Sequence, residues 1–252
     1  MSTEPEPTTD RHGSLRWRNS DGRQHREGKP AVIKLDDTLE WWENGKRHCA
    51  DGPALTRRDG TELWYVNGRR HRTDGPAVTH SDGSQEWWLH GKRHRTDGPA
   101  VTKPDGTELW YVNGREHRED GPAIIGPDGS EAWYVDGRKH RDDGPAISHP
   151  DGNQEWRKKG KHHRVGAPAV IRPEGGAEWW QDGKLHRLDG PAVSGAHGHE
   201  AWYVHGRRHR TDGPAIIWPD GTLEWWENGE CKPPEIGKML TMLWHTRTPS
   251  GA

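Results

Sequence analysis

The sequence predicts an all-β protein, an elongated array of about nine 23-residue β-hairpin repeats followed by a short C-terminal helical cap. Three observations carry this. His25, His48, His71, His94, His117, His140, His163, His186 and His209 lie 23 residues apart, with no insertion or deletion. Trp41, Trp64, Trp87, Trp110, Trp133, Trp156, Trp179, Trp202 and Trp225 keep the same period, as do the prolines from Pro30 to Pro214. Between these marks, Asn-Gly and Asp-Gly pairs flank short runs of Trp, Tyr and Val, the pattern of tight turns around strands.

Taken in order, residues 1–12 read as a flexible tail, 13–232 as the repeat array and 233–252 as a capping helix with its tail. The first unit, Arg16 to Ala31, is degenerate: Trp17 is one residue out of register and Lys29 replaces a glycine. From Val32 to Gly229 the units run without a gap. Arg157, Gly166 and Ala167 mark a weakened unit, and residues 59–69 recur identically at 105–115, which hints at a 46-residue double repeat. Asp-Gly-Pro-Ala is a further bend in each unit, because proline cannot donate to a ladder. After Pro233-Pro234, the residues Ile236, Met239, Leu240, Leu243 and Trp244 share one helical stripe that would cover the last sheet edge.

Two-residue turns would set the register. Around Asn67-Gly68, Val66 then faces Arg69, Tyr65 faces Arg70 and Trp64 faces His71. Around Asp59-Gly60, Leu55 faces Trp64 and Ala54 faces Tyr65. One face thus carries an aliphatic–Trp–His row, and the other carries Ala, the second aromatic and a basic residue. Glu86, Glu155 and Glu178 would face Arg95, Arg164 and Arg187. Two strands per unit give a rod on the order of 85 Å long. A three-sided β-solenoid with a corner at each turn is the alternative to this meander.

Composition narrows function. Only 28% of residues are apolar and 30% are charged, which alone leans toward disorder, but 16 Trp in strict register can build a core from few positions. A net charge of −2 gives no global pull toward nucleic acid or anionic membrane and argues against both as partners. Cys49 and Cys231 form neither a metal pattern nor a disulfide framework. The acidic, Pro-rich start is no signal peptide, and no segment reaches the ~18 apolar residues of a membrane span. A cytoplasmic protein, free or virion-associated, is the expectation.

No nucleophile elbow, phosphate loop or catalytic carboxylate pair appears, and a His-Arg-x-Asp that recurs in most units is no kinase loop. The chain reads as a non-enzyme without cofactor. The histidines would stand ~10 Å apart, too far for shared metal coordination. Each is expected to pack on its facing Trp and to hydrogen-bond the nearby turn through Asp74 and its equivalents, with a pH-sensitive stack as the alternative. Basic residues after each turn glycine (Lys46 and Arg47, Arg69 and Arg70, Lys92 and Arg93, Arg207 and Arg208) form a stripe beside aromatics.

The run Trp42-Glu43-Asn44-Gly45-Lys46-Arg47-His48, the following Asp-Gly turn and the 23-residue period resemble the core of a MORN repeat. Beyond the His the chain departs from that pattern, reading R-x-D-G-P-A in place of early glycines. The resemblance covers roughly residues 16–229 and is to variant repeats of bacterial, phage and giant-virus proteins. It implies an array of successive hairpins that scaffolds partners and no active site. The candidate binding surface is the second aromatic column, Trp42, Tyr65, Trp88, Tyr111, Tyr134, Trp180, Tyr203 and Trp226, with Arg70 and Arg93 beside it. A protein partner is the expectation, with self-association through sheet edges as a further contact. The alternatives are a module for sugar, choline-like or lipid head groups, and an antitoxin- or immunity-type partner binder.

Overall fold

The computed structural model describes residues 6–233, so the predicted cap helix lies outside the described residues. The chain forms two compact units, Met1–Pro127 and Asp128–Ala252. Each is built from antiparallel strands, nearly all two residues long, and no described segment is a helix. From Val32 to Arg208 each repeat holds four strands where two were expected. In one repeat they are β1 (Leu55–Thr56), β2 (Glu62–Leu63), β3 (Tyr65–Val66) and β4 (Arg69–Arg70).

Two kinds of ladder result. β2 pairs with β1 of its own repeat and, on its other side, with Val78–Thr79 of the next. This meander continues to Ile124–Ile125 in the first unit and runs from Glu131–Ala132 to Leu223–Glu227 in the second. β3 and β4 form a separate hairpin with Val66 opposite Arg69 and Tyr65 opposite Arg70, as the Asn-Gly turn predicts. Asn67 and Gly68 have φ of 50° and 80°, the two positive values a type I′ turn requires. Trp64 joins the two ladders: its N–H donates to the Ala77 carbonyl at 2.7 Å, and its carbonyl accepts from His71 N–H at 3.1 Å. Every pairing is antiparallel, the pattern of a hairpin meander.

The other turn differs from expectation. Arg57 N–H donates to Thr61 O at 2.9 Å and Gly60 N–H to Arg57 O at 3.0 Å, so three residues, not two, form the loop. Gly60, at φ 86°, takes the left-handed place of this bulged turn, and Asp59 Oδ1 accepts from Thr61 N–H at 2.8 Å. The extra loop residue shifts the register by one, so Leu55 lies opposite Leu63 rather than Trp64. A one-residue slip exchanges the two faces. The second aromatics Tyr65 and Trp88 therefore pack against the buried cluster of Leu55, Leu63 and Val78. Nor do Ala54 and Tyr65 face one another: Ala54 N–H donates to Leu63 O at 2.8 Å.

The deepest positions are small. Ala31, Ala54, Ala77 and their equivalents through Ala215 have no exposure, and Val32, Val78, Val170 and Ile216 almost none. The first unit absorbs its irregular Trp17 by lengthening a turn. Trp17 N–H donates to Ala31 O and accepts His25 N–H on its carbonyl, as Trp41 does with Ala54 and His48. The surplus residue is taken up between Asn19 and Arg23, where Gly22 N–H closes on Asn19 O.

Candidate functional site

The signature H-R-x-D-G-P-A is a set of interlocking contacts. In the repeat above, the Arg72 guanidinium lies 3.9 Å from the centre of the Trp64 ring. Its Nε donates to Asp74 Oδ1 at 2.9 Å and its Nη1 to Pro76 O at 3.4 Å. Arg72 holds the Asp74 carboxyl below its ordinary range. A Cβ on Gly75 would stand 3.0 Å from the guanidinium carbon; Lys29 and Ala167 take this position in the two repeats that have Gly28 and Gly166 in place of the Asp. Arg26, Arg95, Arg118, Arg141, Arg164, Arg187 and Arg210 cap Trp17, Trp87, Trp110, Trp133, Trp156, Trp179 and Trp202 in the same way, at 3.8 to 4.1 Å. Most of these arginines pair with the Asp of their own signature and not, as the sequence predicts, with a glutamate. Arg95 and Arg187 bond Asp97 and Asp189, not Glu86 and Glu178. Arg164, whose repeat has Gly166 at the Asp position, donates to the Pro168 carbonyl at 3.1 Å.

The histidines bond between repeats. The Nδ1 of His48 accepts the backbone N–H of Asn67 at 3.2 Å, and that of His71 accepts His90 N–H at 3.2 Å. The same bond joins His25 to Asn44, His94 to Asn113, His140 to Lys159, His163 to Asp182, His186 to His205 and His209 to Asn228. The turn is thus the predicted partner, but it belongs to the next repeat, and Asp74 is not the donor or acceptor. Two more bonds recur: Gly68 N–H to Arg47 O at 2.9 Å, and Arg72 N–H to Trp88 O at 3.1 Å. Three inter-repeat bonds per hairpin stack the array.

The second aromatic column is half-buried throughout. Where it is Trp, the indole N–H reaches the preceding glutamate: Trp42 to Glu40, Trp88 to Glu86, Trp180 to Glu178 and Trp226 to Glu224, all at 2.8 to 2.9 Å. Where it is Tyr, Tyr65 and Tyr203 accept from Arg70 and Arg208, and Tyr111 donates to Glu116 at 3.1 Å. Guanidinium groups sit between successive rings. Arg47 lies 5.1 Å from Trp42 and 5.7 Å from Tyr65, Arg70 lies 4.9 Å from Trp88, and Arg93 lies 5.3 Å from Trp88 and 5.6 Å from Tyr111. Burial pushes the Glu86 carboxyl up, but bonds from His80 and Trp88 and the Arg93 charge outweigh it and hold the group anionic. In the repeat with Arg157 at the aromatic position, bonds from His162 and Arg157 lower Glu155 to about 2. Tyr134 is half-buried in the same row.

The sequence-predicted residues Trp42, Tyr65, Trp88, Tyr111, Arg70 and Arg93 therefore form one continuous row in the first unit, and Trp180, Tyr203 and Trp226 recur in the second. The basic stripe, by contrast, divides. Strand alternation turns Arg47, Arg70, Arg93 and Arg208 onto the rings and leaves Lys46, Arg69, Lys92 and Arg207 on the other side, exposed. Sequence reasoning missed the Arg that caps the first Trp, although its fixed place before x-D-G-P was a usable signal. Open clefts also recur between the loops of successive repeats, as between Arg95–Gly98 and Arg118–Asp120 over Trp110 and His117. Their walls mix Asp or Glu with Arg. Among the described residues no three His, Cys, Asp or Glu side chains converge as a metal site needs. No protein-family model matches the chain, and no curated protein matches it.

Proposed function

We propose that the chain is a non-catalytic, MORN-like repeat scaffold that binds a protein partner along the half-buried row of second aromatics and interleaved arginines. The observation that carries this reading is the row itself: Trp42, Arg47, Tyr65, Arg70, Trp88, Arg93 and Tyr111 alternate without a break, each ring partly exposed. Aromatic and Arg side chains are those that dominate protein interfaces, because they combine large apolar contact with fixed polar geometry. Guanidinium groups already lie over these rings, which disfavours the ring-face stacking that sugars or quaternary ammonium groups need.

The aromatics also pack on the core, so the discriminating variant changes the arginines. Wild type and Arg70→Ala/Arg93→Ala are immobilised and used to capture proteins from native host lysate, with near-ultraviolet circular dichroism as the check on packing. A stoichiometric protein held by wild type and lost from the folded variant supports the row as the interface. Equal capture by both moves the interface elsewhere, and capture by neither refutes the scaffold reading.

A further inference from the structure

One row of side chains takes no part in the bonding that builds the repeats. In Met1–Pro127 it is Arg23, Lys46, Arg69, Lys92 and Arg115, the residue after each turn glycine. In Asp128–Ala252 it is Arg138, Lys161, Lys184 and Arg207, the row ending before the last turn, where Glu230 follows Gly229. All are exposed, and among the described residues none makes an ion pair or side-chain hydrogen bond. Adjacent cations are neutralised by comparison: Arg72 lies 2.9 Å from Asp74, and Arg93 3.2 Å from Glu86.

The row is held in place at its base. The stem of Lys46 lies over Gly68, that of Arg69 over Gly91 and that of Lys92 over Gly114, so a Cβ on those glycines would meet them at 3.5 to 3.7 Å. Successive cations thus keep the hairpin period, roughly 10 Å for two strand spacings. That spacing is close to the screening length of about 8 Å at physiological salt, so neighbouring fields merge into a positive strip. Lys and Arg alternate freely along it, and a site that accepts either reads charge rather than the fork of a guanidinium.

We infer that each strip binds an acidic polypeptide segment in the extended polyproline conformation. That helix repeats every three residues at about 3.1 Å each, roughly 9.3 Å, and places every third side chain on one face. A segment with Asp or Glu at every third position therefore meets one cation per turn. A nucleic-acid duplex carries about one charge per 1.7 Å on strands that wind away from a straight row, so the period gives it no register. The strip lies on the opposite side of each hairpin from the aromatic row, and the inference stands independently of that surface.

The test is fluorescence anisotropy on the full chain with three labelled probes. One is a Glu-Pro-Pro repeat of about five turns, enough to span a strip. The second has the same composition with its glutamates clustered at one end. The third is a single-stranded oligonucleotide of matched charge. The periodic peptide is expected to bind about tenfold more tightly than the clustered one, the sum of four or five weak exposed pairs. Arg69→Gln/Lys92→Gln/Arg115→Gln, which keeps most of each stem, should weaken it about fivefold. Equal affinity for the two peptides, preference for the oligonucleotide, or unchanged affinity of the variant overturns the proposal. If that variant loses its circular dichroism, Lys92→Gln alone and the two peptides on wild type still decide.

Discussion

Lowering the pH from about 8 to about 5 should loosen the array at two identifiable places. The Nδ1 atoms of His71 and His186 accept backbone N–H groups and must be unprotonated to do so. Each ring also meets a second imidazole, with centroids 4.5 Å apart for His71 and His90 and 4.4 Å for His186 and His205. Burial first, and then the neighbouring imidazole, lowers both groups below the ordinary 6.5. A group with a lowered folded-state pKa binds its proton more tightly once unfolded. The stabilisation is therefore complete above about pH 6.5 and is lost as the pH falls from there through the lower folded-state value. Protonation of His71 or His186 removes one hydrogen bond, about 1 kcal/mol, and the Coulombic repulsion of the neighbouring imidazole adds up to about 1 kcal/mol more at water's dielectric. Each unit holds one such site and loses up to about 2 kcal/mol, against the 5–15 kcal/mol of a typical domain. The assay is the urea midpoint by Trp fluorescence at both pH values, for wild type and for His90→Asn/His205→Asn. Asparagine already occupies the equivalent Asn44, Asn67 and Asn113 with positive φ, so the turn survives. The variant should regain about half of the loss at low pH. A wild-type midpoint that rises on acidification refutes the acceptor role of Nδ1, and an unchanged pH dependence in the variant refutes the repulsion.

Four further outcomes follow from the bonding of the signature and its turns. Cys49 stands where an Arg would cap Trp41, while Asp51, Gly52 and Pro53 are all in place; Cys49→Arg should raise the melting midpoint, with a gain of about 1 kcal/mol from the restored stack. Gly121→Ala should cost at most about 1 kcal/mol, because its Cβ would lie 2.6 Å from the Arg118 guanidinium carbon and displace that flexible end from Trp110. Gly52→Ala, whose Cβ meets only Cys49 Sγ at 3.8 Å, should be nearly neutral in the same thermal melts. Lys159 holds φ 50° at a turn position that suits Asn, so Lys159→Asn should stabilise by about 1 kcal/mol in urea titrations.

The array and its hairpins were legible because strict periodicity and Asn-Gly turns are local signals. The register of β3 and β4 followed from the turn alone. The register of β1 and β2 did not, because Asp-Gly serves both a two-residue turn and the longer bulged loop that Arg57–Thr61 adopts. That single residue decides which aromatic meets Leu55, and so which column is core. The break of the strand at Trp64 was also hidden: Trp-Tyr-Val has strong strand propensity, and only the Ala77 and His71 bonds of Trp64 show it to be a junction. The inter-repeat role of His48 and its equivalents was half visible, since a spacing can show that a residue recurs but not which neighbour it bonds.

The signature also indicates where function can reside. In the repeats that keep the full signature the His bonds the next turn, the Arg caps a Trp, the Asp and Pro fix that Arg, the Gly lies against it, and the Ala is packed without exposure. Substituting any of them changes stability before it changes recognition. What the scheme leaves over is the exposed edge of the second aromatic row and the charge after each turn glycine. The aromatic row is partly committed to the core through Tyr65 and Trp88, so its freedom to serve a partner is limited to its outer edge. The charge is under no such constraint. At Gly68 the neighbouring repeat needs only the stem of Lys46, which a neutral side chain of similar length would supply. Yet from Arg23 to Arg207 every one of these positions is Lys or Arg, in a chain whose net charge is −2. A basic strip within each unit, built from positions where folding does not demand charge, is the signature of a surface that meets an anion.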